Sequence, residues 1–501
     1  MVKIDGLLSP DLEQLLISQQ EIYGDIFLVG GAIRNSYLQK EVQDYDFIVA
    51  QNPTKIAKKI ADFFNGDYYV MDEARGTARA LIILNGKKLK VDVAQMNGDS
   101  INTDLSLRDF TINAIAFRLP ITEESIDPLG GEFDILGGNL RPCSSTSFEA
   151  DPVRVIRAVR FKNEFGLTFD LNNIEAIRAA SKKLNQVSGE RKRDEIVNIL
   201  RKTNVKQSLH DLLEFEILEN IFPEVVALEV IELDEPHVHN AWEHTCQVVA
   251  YSQQLVDLFV GIKKLKGINP RIKQAFGELK QFQDYISHEL SDSITFVRSK
   301  KILLFLACLF HDTGKGKIES VKKDGRKRYP NHAKVSSELI IDKAKIMGFS
   351  KNEIAFMKNI VRFHMKPSNP KYIDNEVKDI EIHRLYKKVG SAGIFIGLLH
   401  LADLLATYEE TITENRWESA ILTVSNICQA YCFQYDKVIN PPLLIDGYDL
   451  KKKFNLTLGN IYRKIFDLVI EEQVRGNVNS KKEAIEFVAK LLDNGTILEN
   501  S

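Results

Sequence analysis

Hydrophobic positions in the first third of the chain come in short runs, and after residue 150 they fall into long helical periodicities. Ile26-Phe27-Leu28-Val29 is a strand-like run that stops at Gly30-Gly31. Residues 32–39 are amphipathic with helical spacing, and residues 44–49 form a second strand, giving strand, glycine turn, helix, strand. In that second strand Asp44 and Asp46 project from one face and Tyr45 and Phe47 from the other. Residues 53–65 predict an amphipathic helix opened by Pro53-Thr54, and the runs 79–84 and 87–93 flank Asn85-Gly86, a strong hairpin signal. At Asp151 the pattern predicts a helix start, with an acidic N-cap and Pro152 at the first helical position. Val155, Ile156 and Val159 make its buried stripe, and Arg154, Arg157 and Arg160 fan over the opposite, exposed side. From Pro236 onward the sequence is mostly helical. The Lys/Gln/Glu-rich residues 255–300 read there as an inserted, exposed helical pair, and residues 409–436 as a second polar helical stretch.

A chain of 501 residues is too long for one compact core, so several domains are expected. Its composition, 44% hydrophobic and 27% charged, is that of an ordinary globular protein, and a net charge of −3 places any nucleic-acid contact on local basic patches. The opening MVKIDGLLSP lacks a basic-then-apolar signal pattern, and the apolar run 302–310 is too short to span a bilayer, which predicts a cytoplasmic protein. Cys143, Cys246, Cys308, Cys428 and Cys432 show no paired spacing and read as reduced core thiols.

Two groups of residues carry candidate chemistry. Gly30 and Gly31 let the backbone approach a ligand, and the helix behind them offers unpaired N–H groups and Arg34 to a phosphate. Asp44 and Asp46, side by side on one strand face, suit magnesium, a hard cation that takes one or two carboxylates together with phosphate oxygens. If the second hairpin strand lies beside them, Asp92 becomes a third carboxylate, placed to accept a proton or help hold metal; otherwise it is a polar strand tip. The second group is His244, His311-Asp312, His332, His364 and Asp403, drawn from separate helical segments. Imidazole with carboxylate suits manganese, iron, nickel, zinc or cobalt better than calcium.

GGxxR at residues 30–34 followed by DxD at 44–46 resembles the signature of the class II tRNA nucleotidyltransferases (CCA-adding enzymes) and their bacterial poly(A) polymerase relatives, with Asn35 where the family has Asp. Asp104-Leu105-Ser106-Leu107-Arg108-Asp109-Phe110-Thr111 resembles the family's DLxRRDFT motif, with Leu107 replacing the first arginine. The resemblance implies that Arg108 and Asp109 contact a nucleotide's phosphate and ribose. Asp151 and Arg154 match the family's EDxxR pair, with Ala150 at the glutamate position. In the family this pair reads the Watson–Crick edges of ATP and CTP, acceptors from the acid and donors from the arginine. Ser188-Gly189-Glu190-Arg191 through Glu195 resembles SGERxxxE, and its Arg/Lys cluster is the best local candidate for a phosphate-backbone contact.

The six His and Asp positions resemble the HD phosphohydrolase pattern, in which metal activates water against a phosphoester, and Lys315 is placed to assist phosphate binding. Pro441-Pro442-Leu443-Leu444 with Gly447 and Asp449-Leu450 resembles the start of the C-terminal tail in HD-bearing tRNA nucleotidyltransferases. The fold implied is an α/β nucleotidyltransferase head (1–145), an all-α neck (146–235), an HD domain (236–410, with the insertion at about 255–300) and a helical tail (436–501). The implied activity is template-independent addition of C and A nucleotides to the tRNA 3′ end from CTP and ATP with magnesium. The implied HD centre takes a transition metal such as Mn, Ni, Co or Fe. The short stretch between Asp92 and Arg108 favours a partial adder, CC only or A only. A poly(A) polymerase, and a phosphohydrolase whose head only binds RNA, are the rival readings.

Overall fold

A computed structural model of the protein describes residues 7–42, 44–73, 76–262, 267–295, 298–321, 325, 327–372, 378–456 and 459–493. The chain divides into two compact units, one of residues 1–203 and 210–221, the other of 204–209 and 222–501.

The first unit is built on a mixed sheet of six strands: β1 (Ile26–Val29), β2 (Asp44–Val49), β3 (Asp67–Asp72), β4 (Thr77–Leu84), β5 (Lys87–Gln95) and β6 (Ala116–Arg118), in the order β3-β4-β5-β2-β1-β6. All four residues of β1 are buried, as an unbroken apolar run requires. β2 runs antiparallel to β1 and parallel to β5, which sets Asp46 directly across from Asp92. The helix Gly31–Tyr37 follows β1 at once and ends two residues before its expected end, where Gln39 turns to φ 53°. Asn85 and Gly86 both have positive φ, 51° and 76°, as a type I′ turn demands, and this turn pairs Leu84 with Lys87. Counting back from that pair puts Arg79 opposite Asp92.

Helices Arg154–Phe165, Leu171–Ser181 and Gly189–Lys202 follow the sheet. Two features of these helices differ from the sequence pattern. The helix does not start at Asp151: a short helix, Ser147–Ala150, ends there, Asp151 is extended (φ −146°, ψ 94°), and helical structure resumes at Arg154. A residue before proline is pushed out of the helical region, so Pro152 forces the break. Nor do the three arginines fan into solvent: Arg160 is 7% exposed, and Arg154 and Arg157 are half-buried.

The second unit is helical. Ala241–Phe259, Lys300–Phe310, His332–Ile346, Lys351–Phe363 and Ala392–Tyr408 pack together, and Lys378–Val389 and Glu414–Phe433 flank them. Residues 255–300 are not an exposed pair: Pro270–Leu279 and Gln283–Ser291 bury Ile272, Ala275, Leu279, Ile286 and Leu290. Their polar residues lie on the outer face of an amphipathic pattern whose apolar face joins the core. The most apolar long helix is Ala392–Tyr408 rather than the run 302–310; it is long and apolar enough to cross a membrane, yet thirteen of its residues are buried inside the unit. The tail has its own small core, made by Ile445, Leu450, Ile465, Val469 and Val488.

Candidate functional site

In the first unit, a cavity of about 530 Å³ opens at the end of β1 and is lined by Gly30, Gly31, Arg34, Asp44, Asp46, Asp92, Arg108, Asp109, Arg157 and Arg160. Both acidic residues of the DxD strand therefore face the same space. Gly30 is needed here for its φ of 76°, a conformation an L side chain rarely adopts, and a Cβ would also crowd Arg108 Nη1 at 3.2 Å. Burial, reinforced by the charges of Asp92 and Asp44, pushes the Asp46 carboxyl up to about 6 against the pull of Arg108 and Arg34. A carboxylate crowded in this way favours a cation beside it. Asp92 is already gripped in a fork by Arg79, at 2.6 and 2.7 Å, and the three carboxylates do not close into a triplet with all ligand oxygens within 4.8 Å. The residues thus fit a cation held by Asp44 and Asp46 with outside oxygens completing its shell, and Asp92 stands as an anion fixed in place by Arg79. No motif marks Arg79 in the sequence; the hairpin register is the signal that pairs it with Asp92.

Arg34 is buried, donates to Asn113 Oδ1 and Asn35 Oδ1, and lies over the Phe165 ring with its guanidinium carbon 4.3 Å from the centroid. Asp109 is fully engaged. Its Oδ1 accepts from Phe110 N (2.8 Å) and Asn113 Nδ2 (3.0 Å), and its Oδ2 accepts from Arg157 Nε (2.9 Å) and Nη2 (2.7 Å). Although burial opposes ionisation, Arg157 and these hydrogen bonds hold the carboxyl down at about 2. Arg157 in turn binds Glu195, which also pairs with Arg160, so two of the three arginines expected on an exposed side, Arg157 and Arg160, form an internal ion-pair chain. The acidic partners of Arg157 lie 48 and 38 residues away, out of reach of a helical-wheel argument, whereas Arg160 also meets Glu164 one turn on at 3.8 Å.

An adjoining cavity of about 400 Å³ shares Arg108, Asp109 and Arg157 and adds Asp151, Val153, Arg154, Arg191, Asp194 and Glu195. Arg154 donates to the Leu107 and Arg108 carbonyls and to Ser147 Oγ, and Asp151 pairs with Arg191 at 2.6 Å. Asp151 and Arg154 thus line one cavity through separate partners.

In the second unit six residues converge. Asp403 Oδ1 lies 3.0 Å from His244 Nε2 and 3.7 Å from His311 Nε2. Asp312 lies 3.3 Å from His311 and 3.2 Å from His332, whose Nε2 is 3.4 Å from that of His364. They form two triplets able to hold a metal ion: His244, His311 and Asp403, then Asp312, His332 and His364. The hydrogen bonds fit that use. Nδ1 of His311, His332 and His364 each meets a carbonyl three residues back, at 2.7, 2.9 and 2.7 Å, which turns every Nε2 inward as a lone-pair donor. Burial opposes charge here, yet His311, Lys315 and the neighbouring imidazoles hold Asp312 and Asp403 well below the usual carboxylate range, and the two carboxylates raise His311 to about 10. The centre demands positive charge, and a divalent cation supplies what the His311 proton otherwise would. Lys315 Nζ lies 2.6 Å from Asp312.

Residues 26–141 match the poly(A) polymerase head domain, residues 166–228 the probable RNA and SrmB-binding site of polymerase A, and residues 284–406 the HD domain. The chain is 35% identical over 174 residues to the CC-adding tRNA nucleotidyltransferase of Geobacter sulfurreducens, a match spanning 35% of this chain and 40% of that protein. It is 25% identical over 472 residues to the A-adding tRNA nucleotidyltransferase of Deinococcus radiodurans, spanning 92% and 94%. The fold resembles that of a CCA-adding enzyme solved with CTP, at a TM-score of 0.60 and 18% identity, covering 98% of this chain and 97% of that one.

Proposed function

We propose, for a chain that belongs to the family of tRNA nucleotidyltransferases and poly(A) polymerases and carries an HD domain, that it adds C and/or A nucleotides from CTP and ATP to the tRNA 3′ end in the cytoplasm. The observation that carries this reading is the joined pair of cavities, one bearing Gly30, Asp44 and Asp46, the other Asp151 and Arg154. Asp44 and Asp46 would hold magnesium, which supplies charge neutralisation for the triphosphate. Arg34 and Arg108 bind phosphate oxygens and the Gly30-Gly31 backbone lets them come close. The tRNA 3′ oxygen attacks the α-phosphorus, its proton passes to Asp92 held by Arg79, and the bond to the β-phosphate breaks to release pyrophosphate. Asp109 positions Arg157 and Asn113 in the shared wall. The connection from Met96 to Arg108 is short and holds the helix Ile101–Ser106, with Asp104 tying Asn97 to Arg108. A compact connection favours a partial adder over a full CCA adder.

The HD centre supports a second activity. His244, His311 and Asp403 with Asp312, His332 and His364 would hold a transition metal such as Mn, Ni, Co or Fe, which supplies an activated water for phosphoester hydrolysis. Lys315 then steadies Asp312 and faces the phosphate.

Purified protein with magnesium, CTP and ATP is incubated with tRNAs ending before CCA, after C, or after CC. Addition of CC, a single A or CCA names the product; a long A tract makes the chain a poly(A) polymerase, and no incorporation on any acceptor leaves only the hydrolase.

A further inference from the structure

Of the three acids that β2 and β5 bring to the head cavity, Asp44 and Asp92 each already face a cation. The strand register sets Tyr69, Arg79, Asp92 and Asp46 across from one another on β3, β4, β5 and β2, so the four side chains share one face of the sheet. Two residues along on the same face, Lys90 lies across from Asp44. Arg79 and Lys90 line the same cavity as the acids.

The two ion pairs are built differently. Lys90 Nζ reaches Asp44 Oδ1 through a single contact of 3.7 Å, with the side chains 54% and 63% exposed, so an incoming cation can take Asp44 from it at little cost. Arg79 instead grips Asp92 with Nε on Oδ1 (2.6 Å) and Nη2 on Oδ2 (2.7 Å), and both side chains are only 24% exposed. Its Nη1 donates to the Tyr69 hydroxyl at 3.4 Å, which steadies the guanidinium from the edge strand. A two-bond fork of this kind is the strong form of ion pair. A metal that took Asp92 would have to break both bonds and then sit beside a guanidinium that cannot lose its charge. The fork uses two of the carboxylate's roughly four lone-pair sites, so Asp92 keeps acceptors for a hydroxyl proton while its charge is balanced.

We infer, on the reading of the head as a nucleotidyltransferase, that Arg79 is a positioning residue filling the place of a second divalent cation at Asp92, so that the head works with a single metal ion held by Asp44 and Asp46.

The test counts Mn²⁺ bound to the full chain by electron paramagnetic resonance, at saturating Mn²⁺ and a CTP analogue with a methylene bridge between the α- and β-phosphorus. Ions at the HD centre add equally to every form and cancel in the differences. Arg79→Gln frees Asp92 and should bind one more ion than wild type, and the double variant Arg79→Gln with Asp92→Asn should return to the wild-type count. Arg79→Lys, which keeps the charge without the fork, should hold that count and slow incorporation about tenfold, the scale of one lost charge-assisted hydrogen bond. The magnesium dependence of incorporation should turn from first order in wild type to second order in Arg79→Gln. Asp92→Asn alone covers the case in which Arg79→Gln does not fold: it should bind as many ions as wild type, and one fewer overturns the proposal. An equal count in wild type and folded Arg79→Gln overturns it too, and leaves the polymerising reading standing if wild type still extends tRNA. No analogue-dependent Mn²⁺ and no extension by wild type overturn both.

Discussion

Asp109→Asn should loosen the head measurably without changing its shape. In the folded chain Asp109 titrates near 2 rather than 3.8, and its side chain is only 11% exposed, so solvent screening takes little from the interaction. At 1.36 kcal/mol per pKa unit the difference amounts to roughly 2 kcal/mol of stability. The folded pKa is depressed, so this contribution is complete above the unfolded pKa and is lost as pH falls from about 4 toward 2. The variant keeps an acceptor for Phe110 N but leaves Arg157 with Glu195 alone. Hydrogen exchange, corrected for intrinsic rates, on peptides spanning residues 104–118 reads the effect locally. At pH 7 protection should fall roughly 30-fold, the equivalent of 2 kcal/mol, and the gap to wild type should close as pH is lowered through 4. Equal protection at pH 7, or a gap that widens in acid, would show that Asp109 does not anchor the wall as an anion.

Asp46→Ala should abolish nucleotide incorporation and spare phosphate release by the HD centre, and Asp312→Ala should do the reverse; loss of both activities in either variant refutes two independent centres. Gly131→Ala places a Cβ 2.2 Å from the Thr111 carbonyl oxygen, so it should destabilise the head by roughly 2–3 kcal/mol in urea. An unchanged midpoint would mean that the turn yields. Chelator-treated protein given Mn²⁺ or Ni²⁺ at a hundred times its Kd should gain about 2.7 kcal/mol. That gain is read from the fluorescence of Trp242 and Trp417, both in the second unit, and an equal gain in His364→Ala would place the metal outside the Asp312, His332 and His364 triplet.

What the sequence made legible was local. The β1 run, the glycine turn, the DxD strand and the Asn-Gly hairpin are each fixed by neighbours a few residues away, and all appear where the pattern put them. Arg79 was within reach by the same logic, since a two-residue type I′ turn fixes every later pair in the hairpin. The status of the three neck arginines was not. Whether an arginine on the polar side of a helix is solvated or internal depends on which acceptors the tertiary fold brings over it: Asp109 and Glu195 reach Arg157 and Arg160 from other elements, and Arg154 meets the Leu107 and Arg108 carbonyls. The 255–300 stretch failed for a related reason, because high overall polarity concealed a helical stripe of apolar residues sufficient to join a core.

The shared wall between the two head cavities bears on how a base could be chosen. Asp109 has no spare acceptor, so the wall it forms with Arg157 is rigid, and it lines both cavities. In the proposed function, discrimination therefore falls to Asp151, Arg154 and Arg191. Arg154 is tied by its Nη groups to Leu107, Arg108 and Ser147, which holds its guanidinium plane in one orientation. Asp151 is different, because its partner Arg191 is 54% exposed, and an ion pair so open to solvent is worth about 1 kcal/mol or less. A base amine can displace Arg191 from Asp151 at small cost, whereas it cannot displace the backbone carbonyls from Arg154. Arg191→Ala should consequently raise affinity for CTP and ATP, whose amine no longer has a partner to displace, and sharpen discrimination against UTP, whose carbonyl meets a bare carboxylate; equal changes for the three nucleotides in a binding titration would refute this.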